Sequence, residues 1–243
     1  MIETLSLLCG DDITITDGLI IRQPTLHDVK CYDEFKYMSM VSMFVCTPYD
    51  MIAQLDKQGY DFTEVTSFQL FGGLCHHLKP PETSILFGDL DFSELRPVFN
   101  EEKRRIELTG RNVIITEDVY NQMADCIRTI NSIPPPKFKG VADEYTKQKM
   151  IEYAYDDLEL LKHKKPKSTL RTLVSRATNH PYFKYNLNEV WDMKLYAFYD
   201  AIQSINIVES SNQLSIGAYS GNLDLSKINK NNFNWLREIE VKD

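Results

Sequence analysis

Positions 12 to 23 set isoleucines against threonines. Ile13 and Ile15 alternate with Thr14 and Thr16, Asp17-Gly18 follows, and Leu19-Ile20-Ile21 returns. This pattern predicts a β-hairpin closed by a two-residue type I′ turn. Pro24 ends the hairpin, and Thr25 with Asp28 three residues on reads as the N-cap of a helix from about Leu26 to Val45, with Phe35, Met38 and Met43 among its apolar positions. Thr47-Pro48 predicts a second start, with Pro48 at the first helical position and the helix running to Gln58 before Gly59. Thr63 to Leu74 holds a further short helix, ended by Gly72-Gly73. From Leu78 the period changes. Pro80-Pro81 reads as a break, Ile85-Leu86-Phe87 as a short apolar strand, and Arg105–Leu108 with Val113–Thr116 flank a Gly110-Arg111-Asn112 turn. The expectation is a three-stranded insertion at about 79–116. Glu117 to Asn131 then places Val119, Met123, Cys126, Ile127 and Ile130 on one face of a helix.

Pro134-Pro135-Pro136 is the best linker in the chain, because consecutive prolines favour extended backbone. Beyond it the pattern is helical. Asp143–Lys162 sets Met150, Ile151, Ala154, Leu158 and Leu161 in register, and Ser168 caps a helix through Leu170, Leu173, Val174 and Ala177, bounded by Pro181. Leu187–Ile207 is apolar on nearly every side, which predicts a helix in the middle of a bundle or at an interface. A stretch at Asn212–Tyr219, a Gly221-Asn222 turn and a short helix around Asn232–Leu236 complete the chain. The fold class is thus α+β and predominantly helical. An N-terminal part, 1–133, carries the hairpin, helices and small β insertion, and a C-terminal helical part, a bundle, spans 137–243.

At 243 residues and 28.2 kDa, with 43% hydrophobic and 26% charged residues, the composition is that of a globular protein. It excludes a disordered chain, a collagen-like repeat and a disulfide-dense miniprotein. The start, Met1-Ile2-Glu3-Thr4-Leu5, has no basic region and argues against a signal peptide, and the apolar run Met38–Cys46 is too short to span a membrane. Five cysteines without a CxxC spacing point to reduced thiols, with Cys31, Cys46 and Cys126 expected as buried packing residues. The net charge of −8 disfavours nucleic acid as a partner, but it is unevenly distributed. Residues 1–65 hold 11 acidic and 4 basic side chains, whereas residues 137–176 hold 6 and 10.

That basic segment centres on Lys162, Lys164, Lys165 and Lys167, with Arg171 following. Lysines at a helix end oppose the negative pole of the macrodipole, so a solvated helix terminus accounts for them. The sharper alternative is a patch for nucleic acid or an acidic partner. Cys75-His76-His77 is the densest set of metal-ligand types, but three adjacent residues cannot all reach one tetrahedral ion, and no metal or cofactor is expected. Asp89 and Asp91, with Glu107, are the residues a divalent-metal nuclease would use, although Arg105 stands where that chemistry usually wants lysine. There is no glycine-rich phosphate loop and no nucleophile elbow, so the expectation is a non-enzyme. Of the aromatics, 13 Tyr, 12 Phe and 2 Trp, many lie in the C-terminal half, among them both tryptophans. Trp191, Tyr196, Phe198, Tyr199 and Trp235 are the candidate partner-binding residues; filling the domain's own core is the competing use.

Two blocks carry a resemblance. DITITDGLIIRQPTLHDV with TPYDMIAQLDKQGYDFTEVTSFQLF, and STLRTLVSRATNH with NEVWDMKLYAFYDAIQSI and GAYSGNLDLSKINKNNFNWL, are similar to a group of proteins encoded among the tail genes of phages of Gram-positive bacteria. The resemblance implies a non-enzymatic tail-assembly chaperone or a minor tail or baseplate component. It would act by protein–protein contact on tape-measure, tube or baseplate subunits, in the host cytoplasm during assembly or in the virion tail. It carries over no catalytic residue and no membrane partner.

Overall fold

The computed structural model describes residues 4–137, 140–165, 167–221, 226 and 228–237. A short helix α1 (Thr4–Cys9) leads into the hairpin of β1 (Ile13–Thr16) and β2 (Leu19–Ile21), paired antiparallel with Ile13 opposite Ile21. Asp17 lacks the positive φ that the expected type I′ turn requires, so the turn is of another type. Gly18 in it has φ +77° and lies against the Asn112 backbone, where a Cβ would come within 2.1 Å of the carbonyl oxygen. Only glycine meets both demands. The hairpin turn is thereby seated on the 110–112 turn of the second sheet.

The predicted Thr25 cap forms as a complete capping box with Asp28. The helix it starts is not continuous to Val45: α2 (Leu26–Tyr32) stops and α3 (Glu34–Val45) begins at Asp33, which has φ +87° and accepts from the amides of Phe35 and Lys36. After Thr47 a 3-10 turn, Pro48–Asp50, precedes α4 (Ile52–Lys57), and Gly59 follows with φ +79°. Helix α5 (Ser67–Leu74) is capped by Thr66 with Gln69 and contains Gly72 and Gly73 instead of ending at them.

Residues 85–87 are not a strand. Pro80 and Pro81 occupy the first two helical positions, where a missing N–H costs nothing, and start α6 (Pro80–Phe87), which Gly88 ends. The three-stranded antiparallel sheet is β3 (Arg96–Asn100), β4 (Arg105–Thr109) and β5 (Ile114–Ile115), in the order β3-β4-β5. Phe99 faces Ile106 and Pro97 faces Leu108 across the first pair. Helix α7 (Glu117–Ile130) follows, capped by Thr116 and amphipathic as predicted. Residues 133–137 hold neither helix nor strand.

Beyond them come α8 (Glu144–His163), α9 (Thr169–Thr178), a 3-10 turn at Glu189–Asp192 and α10 (Leu195–Tyr219). Of the α10 side chains only Leu195, Phe198 and Ser211 are buried, so this helix lines one side of the core instead of running through the middle of a bundle. The 3-10 turn Lys230–Phe233 packs on α10. Asn222 of the predicted Gly221-Asn222 turn lies outside the described residues. Among the described residues the fold is therefore α+β and predominantly helical, with ten α-helices and two small sheets.

The main core joins Leu19, Ile21, Tyr37, Phe44, Phe71, Phe92, Ile115 and Tyr120 to Leu170, Val174, Val190, Leu195 and Phe198, from both sides of the prolines. Rings of Phe44, Phe87 and Phe92 meet at 4.7–5.0 Å in its middle. Backbone bonds fasten the halves: Leu26 N–H donates to the Met193 carbonyl and Leu195 N–H to that of Pro24, each at 3.0 Å. The Glu34 carboxylate accepts from the Ser168 hydroxyl and, at 2.9 Å, from the Leu170 amide at the start of α9. A smaller cluster of Ile52, Leu55, Phe62 and Leu70 takes Met150, Ile151 and Ala154 from α8.

Candidate interaction surfaces

The five candidate partner-binding residues have different fates. Phe198 is fully buried and edge-on to Phe183, so it serves the core and not a surface. Tyr196 and Tyr199 are partly buried against the same core, and burial pushes both phenols above their ordinary range, with Glu34 adding to the effect at Tyr199. Trp191 is also partly buried, with the Lys30 ammonium 5.4 Å from its ring centre. Trp235 alone of the five is largely exposed, at 60%.

Trp235 is held out by a small polar network. The Arg237 guanidinium donates to the Ser211 hydroxyl at 3.1 Å and to the Asn232 carbonyl at 2.5 Å, and Ser211 also donates to Asn232. The Asn234 side chain accepts from the Leu236 amide at 3.0 Å. This pins the 229–237 segment to α10 while Trp235 and Leu236 face solvent. Ile216 and Tyr219 at the end of α10 are exposed too, Tyr219 at 93%. The sequence points to Trp235 and, among the C-terminal aromatics, Tyr219, but not to Ile216 or Leu236. For Ile216 and Tyr219 the signal was an apolar helix with more apolar positions than one core face can take.

The polar candidates separate as well. Lys162 pairs with Glu159 at 2.6 Å in the last turn of α8, and Lys164, Lys165, Lys167 and Arg171 are exposed. Asp91 caps the turn at Phe92–Glu94, accepting from the Ser93 amide and hydroxyl. Glu107 accepts from Arg105 at 2.8 Å and Asn100 at 3.2 Å, and the Arg105 bond, with Asn100 second, lowers its pKa. Asp89, Asp91 and Glu107 are not brought together: among the described residues no three His, Cys, Asp or Glu side chains gather as a metal site, and Cys75-His76-His77 does not form one. Cys75 is buried, its thiol 3.2 Å from the Gly72 carbonyl. Burial pushes the Cys46 thiol to about 11 and the Cys126 thiol to about 12. Cys31 is exposed, contrary to expectation, because it sits on the outer side of α2 beside His27.

Sequence reading missed one concave feature. A groove of about 520 Å³ lies between α5, the β3–β4 face and the start of α7. Phe68, Gly72, Pro97, Ile106 and Leu108 give it apolar walls, and Thr66, Gln69, Arg105, Glu117 and Asp118 its polar ones. Phe99, opposite Ile106 in the ladder, extends the apolar face outward at 60% exposure.

Residues 162–240 match the model of a domain family described as the YomV second domain, a phage-associated family. No curated protein and no solved structure matched the chain. Among the described residues no helix is long and apolar enough to cross a membrane.

Proposed function

We propose that this is a phage protein that works without catalysis, through protein–protein contacts, as a tail-assembly chaperone or a minor tail or baseplate component. The observation that carries the reading is the pinned turn that displays Trp235 and Leu236, with Ile216 and Tyr219 of α10 also exposed, inside the segment matching the phage-associated domain. An exposed tryptophan fixed by a hydrogen-bonded turn loses little freedom on binding, which is what an interface anchor requires. The resemblance of both sequence blocks to proteins from phage tail-gene regions supplies the class of partner: tape-measure, tube or baseplate subunits.

Co-expression with the tail proteins encoded beside it, followed by purification under native conditions, tests this. The expected result is a defined complex with one of them, weakened at least about tenfold by Trp235→Ala with Tyr219→Ala, since interface aromatics commonly carry 2 kcal/mol or more. Recovery of no tail protein, or a complex indifferent to both substitutions, overturns it.

A further inference from the structure

Helix α8 is long, and among the described residues its named hydrogen bonds, ion pairs and core contacts to the rest of the fold lie along its first part. Twenty residues span about 30 Å. The Lys147–Asp61 pair, the packing of Met150, Ile151 and Ala154, and the Tyr155–Asp56 hydrogen bond all lie within its first twelve residues. None of its side chains is buried. Beyond Tyr155 it carries Leu160 and Leu161, 57% and 59% exposed, and leads into Lys164 and Lys165, which make no ion pair among the described residues. Two adjacent exposed leucines followed by free lysines form an apolar tip with a cationic edge.

The groove is its complement. Its walls are apolar, its outer lip is Phe99, and its rim bears Glu117 and Asp118, neither of which has an ion-pair partner among the described residues. Arg105, the one rim cation, is already committed to Glu107. Glu117 and Asp118 lie in the first turn of α7, and with Arg105 committed the side-chain charge around this apolar hollow is negative.

We propose that the groove receives the Leu160–Lys165 tip of a second copy of this chain. Tip and groove are different surfaces, so the contact is head-to-tail. Each copy keeps one free tip and one free groove, and the chain assembles into rings or open arrays instead of stopping at a twofold dimer. Burial of the leucines supplies the attraction, while the lysines against Glu117 and Asp118 set register and make association sensitive to salt. This inference does not depend on the tail-protein reading, since it needs no other protein.

The test uses the full chain in sedimentation velocity over a concentration series. The wild type is expected to gain mass with concentration and to gain less as salt rises toward about 1 M. A tip variant, Leu160→Glu with Leu161→Glu, and a groove variant, Glu117→Lys with Asp118→Lys, are each expected to stay monomeric alone. An equimolar mixture of the two is expected to form a one-to-one complex, because one intact groove then meets one intact tip. All four positions are exposed, so circular dichroism should show unchanged folding. If the lysine variant fails to fold, Glu117→Gln with Asp118→Asn replaces it, with association weakened about tenfold as the expected result. A wild type monomeric throughout, variants that still associate alone, or a mixture that stays monomeric each overturns the proposal. So does a wild type that stays monomeric while its groove takes a leucine–lysine peptide of another protein.

Discussion

Tyr37 and Asn131 illustrate how single buried polar groups fix neighbouring helices. The Tyr37 hydroxyl donates to the Asn131 side-chain oxygen at 2.9 Å, and the Asn131 amide donates to the Ile127 carbonyl at 2.8 Å, with both residues at most 5% exposed. Burial raises the Tyr37 phenol well above its ordinary pKa, so it remains a donor throughout the stable pH range. Tyr37→Phe should cost about 1–3 kcal/mol in urea unfolding, because it leaves the buried Asn131 oxygen short of its donor. Asn131→Leu strands the Tyr37 hydroxyl, while the Ile127 carbonyl keeps its bond from the residue 131 backbone N–H at 3.1 Å. The double variant should lose less than the two singles combined, and strict additivity would show the bond to be energetically idle. None of this was legible beforehand, since 94 positions separate the partners. Thr25, Asp28, Asp17 and Gly18 could be placed from sequence because capping boxes and hairpin turns are complete within four residues.

At the scale of elements, the misread segments share a cause: one residue type serves two backbone purposes. Proline at Pro80-Pro81 can break a helix or begin one, and here the absent N–H falls where no helical partner exists. The predicted helix Leu26–Val45 runs through Asp33, whose side chain instead caps α3 while its backbone turns away from α2. Helix α10 was expected in the middle of a bundle or at an interface, and the first of these fails because only Leu195, Phe198 and Ser211 of its side chains are buried. The groove was illegible for a third reason. Its lining comes from 66–72, 97–108 and 117–118, stretches that meet only through packing.

Helix α8 yields a pH prediction. Hydrogen bonds from Lys147, first, and Thr63 lower the Asp61 pKa to about 2, against about 3.9 in an unfolded chain. A depressed carboxylate stabilises the folded state fully above its unfolded pKa and loses that contribution as pH falls through the folded one. The melting-temperature gap between wild type and Asp61→Asn should therefore be widest above about pH 4 and close toward about pH 2. A gap constant from pH 7 to pH 2 would mean that the 2.5 Å Lys147–Asp61 pair is not what attaches the helix.

For the whole molecule the question is whether the parts on either side of Pro134–Pro136 unfold together. A proline-rich connection suggests two independent units, and the sequence division at 133–137 follows from it. The packing argues for coupling. Residues 24–26 bond to 193–195 through two backbone hydrogen bonds, the Lys194 ammonium reaches the Gln23 carbonyl at 2.6 Å, and Gln203 donates to Ser132 at 2.8 Å. Phe198 and Leu195, from the far side of the prolines, stand in one core with Leu26, Val29 and Tyr37. Phe198→Ala should accordingly cost about 3–5 kcal/mol, the usual toll of deleting a fully buried phenylalanine. The loss should appear as the same shift in two probes: Trp191 fluorescence, and a thiol-labelling probe at buried Cys126 on the near side. If the Trp191 transition moves while Cys126 protection stays at the wild-type midpoint, the two parts are separate folding units and the contacts between them are docking contacts alone.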